Sequence, residues 1–260
     1  MFDFEAHFVG GCVRDNLLGL ESDDIDFVVT LPEPVSDPVR HLETMLTEQR
    51  FEVFKVSTDT LTVRAKVPAH LLGSLPTNTV DFSVCREESS ASDGRRPDEV
   101  IPVFGPEALV KDLSRRDFTI NAVARSMSGK IVDPHGGVQD LQSRTLRFVG
   151  DAATRIEEDG LRVMRGFRFA ITKGLVVDAA TWDALVSDTA AKVLASDAVS
   201  EDRIHDELNK MMKVDSVGSM KLLVEAFKCN AALEGAIFKK RLHLEASLKK
   251  VKKREAPTTL

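Results

Sequence analysis

The stretch from Phe8 to Val29, FVGGCVRDNLLGLESDDIDFVV, sets chemically capable residues at short spacing. Asp24 and Asp26 stand two apart at the head of an apolar run. In a β-strand, residues i and i+2 share a face, so the two carboxylates would project together. Like charges that close are costly unless a cation sits between them. A divalent metal with hard oxygen ligands is the usual occupant. Upstream, Gly10-Gly11 lets backbone approach a ligand closely. The helix opened by these glycines would aim free N–H groups at an anion, with Arg14 in reach. A phosphate grip and paired metal carboxylates in one β-α-β stretch point to phosphoryl or nucleotidyl transfer. Two metals there would bind the attacking and leaving oxygens and neutralise a triphosphate.

The elements that must position these groups follow from hydrophobic periodicity and turn residues. Short strands are predicted at 6–9 and 24–30, with a helix at 12–18 ended by Gly19. A helix over 36–50 follows from Val39, Leu42, Met45 and Leu46. Strands are predicted at 51–56, 61–67 and 79–84, and Asp81 on the last is a possible third carboxylate near the metal. Residues 86–99, REESSASDGRRPDE, read as a mobile loop. Pro106 suits the first turn of a helix carrying Leu109, Val110 and Leu113. SRRDFTINAVARS (114–126) reads as a second helical segment, 131–132 as a short strand and DPHGGVQDL (133–141) as a turn-rich connector. Beyond about Gly150 no strand-like alternation of any length remains. Helices are predicted at 156–173, 180–194, 201–214, 220–227 and 233–251, with Ser200 as an N-cap and Glu201 and Asp202 suiting the dipole. The expected fold class is α+β: a mixed-sheet head over 1–150, a helical module over 151–230 and a basic helical tail over 231–260.

Composition is that of a globular protein, 43% hydrophobic and 29% charged in 260 residues. No run approaches membrane-spanning length. The opening MFDFEAHF resembles neither a secretory signal nor a presequence, which leaves a cytoplasmic or nuclear site as the default, with an organelle still open. Three cysteines without C-x-x-C spacing argue against a disulfide framework or zinc site. A net charge of −6 argues against a general polyanion coat. Local patches decide nucleic-acid binding, and 239–254 carries eight Lys or Arg against Glu245.

GGCVRDNLLG followed by DID resembles the signature of the class II tRNA nucleotidyltransferase (CCA-adding) and poly(A) polymerase family, in the DNA polymerase beta-like superfamily. GRRPDEV (94–100), RRDFTINAVA (115–124), DPHGGVQDL (133–141), EEDGLRVMRGFRFA (157–170) and VSEDRIHDELNKM (199–211) resemble further family blocks in order, and together they cover roughly residues 8–230. The resemblance implies two Mg²⁺ at Asp24 and Asp26, ATP and CTP as substrates and an RNA 3′ end, foremost that of tRNA, as acceptor. It implies that Gly10, Gly11 and Arg14 bind the triphosphate. Arg116 and Asp117 would contact the nucleotide, with Asp117 near the ribose, where a fixed carboxylate favours a 2′-OH. Asp159 and Arg162 would read the base edge, with Glu158 in support. Arg165 and Arg168, continuing the i,i+3 step, would hold nucleotide and RNA. Gly160 and Gly166 depart from the family pattern, which would have Ala or Pro at the first and Ala at the second; each weakens a helix by ~1 kcal/mol relative to Ala, which implies a looser helix and less strict base selection. The family's flexible loop aids the change from C to A addition, so a loop at 86–99 implies A addition. Asp133 and Asp140 match a connector with a hinge role.

Three readings follow. The first is CMP and AMP addition to the tRNA CCA terminus. The second is the same chemistry with ATP alone, as a poly(A) polymerase or A-adding enzyme. The third is a truncated, inactive RNA- or nucleotide-binding protein, because family members usually continue into a longer helical body and tail. In that case the basic tail would substitute for the missing RNA grip.

Overall fold

A computed structural model describes residues 4–22, 24–73, 75, 77–89 and 99–239. Along the chain run β1 (Ala6–Val9), α1 (Gly11–Leu17), β2 (Asp26–Val29), α2 (Pro38–Glu48), β3 (Glu52–Ser57), β4 (Thr62–Lys66), β5 (Thr79–Val84), β6 (Arg86–Ser89) and β7 (Glu99–Pro102). Then come α3 (Ala108–Ser114), β8 (Ala124–Ser126), β9 (Ile131–Val132), α4 (Gly137–Gln142), β10 (Thr145–Leu146), α5 (Ala152–Glu158) and α6 (Leu161–Thr172). The remainder is β11 (Val176–Val177), α7 (Ala179–Leu185), α8 (Asp188–Ala195), α9 (Glu201–Val214), α10 (Ser216–Cys229) and α11 (Ala232–Ile237).

Seven strands form one mixed sheet in the order β3-β4-β5-β2-β1-β8-β9, in which β2 and β5 are parallel and the other pairs antiparallel. Its central strands are buried on both faces, which explains why β2 reads as a continuous apolar run. Phe27 and Val29 face a core shared with Val63, Phe82 and Val84, and α2 closes it with Val39, Leu42 and Leu46. Leu42 and Leu46 are fully buried, worth ~1.5–3 kcal/mol each against exposure. Asp37 caps α2 by accepting from Arg40 N at 2.9 Å, with Pro38 in the first turn. Val28 points the other way, to Val9, Leu109, Leu113 and Ala124. The third core gathers α5 to α11 and also takes Phe118, Ile120, Leu141, Leu146 and Phe148 from earlier in the chain. The fold class is thus α+β, a mixed sheet followed by helices.

Several predicted elements differ. Residues 114–126 do not form a helix. Asp117 Oδ1 accepts from Phe118 N at 2.8 Å and from Asn121 Nδ2 at 2.9 Å, and such local bonds compete with the helical ladder. The segment makes a 3-10 turn at Thr119–Asn121 and then joins the sheet beside β1. Residues 86–89 are not loop but pair with 99–102 as a hairpin, and residues 90–98 lie outside the described residues. The helix predicted at 156–173 is broken at Asp159, which is extended (φ −150, ψ 104). Its carboxylate accepts from Leu161 N at 3.1 Å and so starts α6. The helix predicted at 180–194 breaks likewise at Ser187, which caps α8 through Ala190 N at 3.1 Å. The connector contains α4, whose Gly137 and Val138 N–H groups donate to Asp133 at 2.8 and 2.9 Å. Val176–Val177 forms a short parallel pair with β10 after all. Ser200 occupies the cap position of α9 without a side-chain cap bond. The tail from residue 240 on, with its proposed RNA contact, lies outside the described residues.

Candidate active site

The carboxylates meet where β1 ends. Val9 pairs with Asp26, and Gly10 then turns away at φ 70, a left-handed conformation open to glycine. Strand β2 begins at Asp26, and Asp24 precedes it, contrary to the expectation that both lie on the strand. Asp81 stands in register beside Asp26 on the parallel neighbour. Burial pushes the Asp26 carboxyl up, and the charges of Asp81 and Asp24 push it further, against the pull of Arg116 and Arg64. Asp24, Asp26, Asp81 and Arg64 line a small cavity of about 200 Å³. Among the described residues, no three His, Cys, Asp or Glu are gathered closely enough to enclose a metal ion. That agrees with Arg64, which holds Asp81 by two bonds of 2.6 Å. The donor set nevertheless fits Mg²⁺. A half-buried carboxylate with two others nearby favours a cation, and Mg²⁺ is usually held by one or two carboxylates together with substrate phosphates.

A larger cavity of about 470 Å³ opens beside Asp26, between the Gly10-Gly11 turn, residues 115–121, α6 and the start of α9. Seven arginines (14, 115, 116, 162, 165, 168 and 203) and four carboxylates (Asp26, Glu88, Asp117 and Asp159) line it. A chain of net charge −6 thus concentrates positive charge in one pocket, the arrangement suited to a polyanion. A Cβ on Gly10 would sit 3.3 Å from Arg116 Nη1 and 3.9 Å from Asp26 Oδ2. The glycine therefore meets the edges of both groups as well as the positive φ. Gly11 sits beside Arg14, at 3.6 Å by the same measure.

Each arginine is held by the protein. Arg14 is buried, forks onto Asp15 at 2.9 Å and donates to Asn121 Oδ1 at 2.7 Å. Arg116 Nη2 donates at 2.9 Å to Asp112, a fully buried carboxylate that Arg115 also grips. Asp117 accepts from Arg165 Nε at 2.7 Å and also from its Nη2. The Arg165 charge and the Asn121 hydrogen bond hold the Asp117 carboxyl well below its usual range despite burial. Asp117 thus anchors Arg165 while lining the cavity.

Asp159 and Arg162 both line the larger cavity. Arg162 Nη1 donates to Glu158 Oε2 at 2.5 Å and to the Arg155 carbonyl at 3.0 Å, and Nη2 to the Arg115 carbonyl at 3.0 Å. Arg203 Nη2 reaches Asp159 Oδ2 at 3.2 Å. Three guanidinium groups converge on the Phe169 ring: Arg168 at 4.0 Å, Arg14 at 5.0 Å and Arg165 at 5.5 Å from its centre. Arg168 is also gripped by the buried Glu207. The glycines expected to loosen this helix have a packing reason. A Cβ on Gly160 would lie 2.2 Å from Val193 Cγ1, and one on Gly166 would lie 2.9 Å from Leu185.

The sequence reading did not single out Arg203, Phe169, Asn121, Arg115 or Glu88 as cavity residues. The first four lie inside quoted blocks, Phe169 and Arg115 directly beside the named Arg168 and Arg116. Arg64 carries no motif at all. Its partner is 17 positions away on the next strand.

The chain matches the family model described as the poly A polymerase head domain over residues 6–147, more than half its length. This chain belongs to that family. It is 37% identical over 205 residues to a CCA-adding enzyme of Lactiplantibacillus plantarum, covering 78% of this chain and 44% of that protein. Among solved structures it resembles the Bacillus stearothermophilus CCA-adding enzyme in complex with CTP. That likeness has a TM-score of 0.69 at 30% identity and covers 90% of this chain and 51% of the other. A tRNA nucleotidyltransferase complexed with a primer tRNA and an incoming ATP analog shares the fold, with a TM-score of 0.64 at 24% identity over 97% of this chain and 66% of the other. The chain spans about half the length of the curated relatives it matches. In this member of the poly A polymerase head family, Asp26 stands at the edge of an arginine-lined pocket.

Proposed function

We propose that this protein is a template-independent RNA nucleotidyltransferase that transfers CMP and AMP from CTP and ATP to the 3′ end of tRNA, building the CCA terminus. The observation that carries this reading is the junction of Asp26 with a cavity lined by seven arginines. A half-buried carboxylate beside a dense positive field suits a metal–triphosphate. The likeness to proteins named CCA-adding enzymes, one of them bound to CTP, supports the choice of substrates.

In this reading residues 1–150 are the catalytic head, 151–230 the helical neck and 231–260 a basic tail. Asp24 and Asp26 would hold two Mg²⁺, with Asp81 beside them. When bound, the ions would supply charge neutralisation at the triphosphate and lower the barrier to in-line displacement. Gly10 and Gly11 let backbone reach the phosphates, and Arg116 faces the same turn across Gly10. Arg165 and Arg168, fixed by Asp117, Glu207 and Phe169, present charge to the nucleotide without paying for reorganisation at the moment of reaction. Asp159 and Arg162 would read the base edge, the carboxylate accepting and the guanidinium donating in fixed planes. A cytoplasmic site fits this substrate and the three free thiols at Cys12, Cys85 and Cys229.

The test is incorporation into tRNA lacking its 3′ terminus, with each nucleotide alone and then with CTP and ATP together. Stepwise C, C and A addition that is lost in Asp24→Ala supports the proposal. Long A tracts without C would transfer the chain to the ATP-only reading. No incorporation by a folded protein that still binds tRNA would favour the inactive binding protein.

A further inference from the structure

Three adjacent strands carry a charged row across the sheet. Arg64 of β4 pairs in register with Asp81 of β5, and Asp81 in turn with Asp26 of β2. Residues paired in register on neighbouring strands share a face and lie within side-chain reach. The Arg64 guanidinium takes both Asp81 oxygens, Nε to Oδ1 and Nη2 to Oδ2, each at 2.6 Å. This is the fork geometry that makes Arg–carboxylate pairs specific. With both oxygens engaged, Asp81 has little to offer a metal until the fork opens. The Arg64 side chain is 48% exposed, against 24% for Asp81, so it has room to swing into water.

We propose that Arg64 is a built-in counter-ion for the carboxylate corner. It occupies Asp81 while the metal is absent and yields it when a divalent cation enters, so that Arg64 weakens metal binding in the nucleotide-free protein. The argument is electrostatic. Asp24, Asp26 and Asp81 line one small cavity, and the repulsion that Asp26 feels from the other two falls when one of them is neutralised. A cation arriving at Asp26 then competes with the fork for Asp81 and also meets the repulsion of a positive neighbour. Arg64 is a positioning residue, acting through Asp81. The inference rests on the reading of Asp24 and Asp26 as metal ligands.

The experiment measures Mn²⁺ binding by electron paramagnetic resonance on the full chain without nucleotide, comparing wild type, Arg64→Met, Arg64→Lys and Asp26→Asn. Wild type should show a site that Asp26→Asn removes. Arg64→Met should bind Mn²⁺ about fivefold more tightly, the scale of one partly exposed ion pair. Arg64→Lys, which keeps the charge but loses the fork, should fall between. Thermal melts with and without Mn²⁺ should show a larger metal-induced rise for Arg64→Met than for wild type, which a merely structural arginine would not produce. Equal Mn²⁺ affinity in wild type and Arg64→Met, at a site that still needs Asp26, overturns the counter-ion role and leaves the metal site standing. If no Asp26-dependent site appears in any protein, both fall. If Arg64→Met does not fold, Arg64→Lys decides by the same comparison, and affinity equal to wild type overturns the role.

Discussion

Replacing Gly160 by Ala tests how tightly the break before α6 is packed. The backbone there is ordinary helix, φ −60 and ψ −21, so an alanine adds no torsional strain. The new Cβ would lie 2.2 Å from Val193 Cγ1, 3.0 Å from Val199 Cγ2 and 3.3 Å from Val193 Cβ. Val193 is β-branched, with a stiff χ1, and both valines are buried, so neither moves aside freely. Overpacking of this kind costs ~1–3 kcal/mol. Gly160 holds the N-cap position of α6, where alanine is less favourable than glycine, so no helix-propensity gain offsets the clash. A net loss of ~1–2 kcal/mol should lower the melting temperature by roughly 2–8 °C for a chain of this size. Val193→Ala removes the methyls in the way. A double-mutant cycle should therefore return a favourable interaction of at least ~1 kcal/mol. Asp159 is the next residue, so the single variant should also raise the KM for nucleotide, and the double variant should restore it. Gly166→Ala is the internal control. Its Cβ would lie 2.9 Å from both Cδ atoms of the buried Leu185, a milder clash that helix propensity inside α6 partly offsets, so it should lose less stability than Gly160→Ala. A Gly160→Ala protein as stable as wild type, or an additive cycle, would refute the packing argument.

Acid should act through His7 and Asp117 in different pH windows. Burial holds the His7 imidazole below its usual value of 6.5, so below that pH the unfolded chain takes up the proton first and stability falls as pH falls towards the folded pKa. His7→Gln should flatten the stability profile between pH 7 and 5 in urea titrations, leaving the smaller slope from His135, which burial lowers likewise. Asp117 is depressed instead, so its contribution is present above pH 3.8 and is lost as pH falls through its folded pKa. Asp117→Ala should cost about 1–3 kcal/mol by denaturant unfolding, because Asn121 and the Phe118 N–H lose a buried acceptor while Arg165, 34% exposed, can rehydrate in part. It should also weaken nucleotide binding through the freed Arg165.

The elements that the sequence disclosed best are those whose signals are local. Helix α9 carries Ile204, Leu208 and Met211 at helical spacing and begins after a capping-type serine, and its predicted bounds match the structure at both ends. Strand β5 alternates buried and half-exposed residues from Thr79 to Val84, as predicted. The break at Asp159–Gly160 was not legible, because apolar periodicity runs through it from Ile156 to Phe167, while Asp159 turns out of the helix to accept from Leu161 N and from Arg203 on α9. The turn at 117–121 was hidden for a similar reason, since an Asp next to Phe-Thr-Ile can cap a helix or bond its own backbone, and packing decides. In the site, Asp26 and its neighbouring glycines stood out by spacing. The Arg64 fork, the Arg203 contact with Asp159 and the three guanidinium groups on Phe169 join residues from separate elements, and no window of sequence contains them.

The central claim is that the cavity between the Gly10 turn and α6 binds the nucleotide and selects its base. Equilibrium binding of CTP, ATP, GTP and UTP to the full chain, by calorimetry with Mg²⁺ present, tests it directly. CTP and ATP should bind with similar affinity, and GTP and UTP at least about tenfold more weakly, the factor expected for one mismatched polar contact at the base edge. Asp159→Ala should reduce that preference while Arg165→Met weakens all four together. Four nucleotides bound equally by wild type, or binding that neither variant changes, would contradict the account.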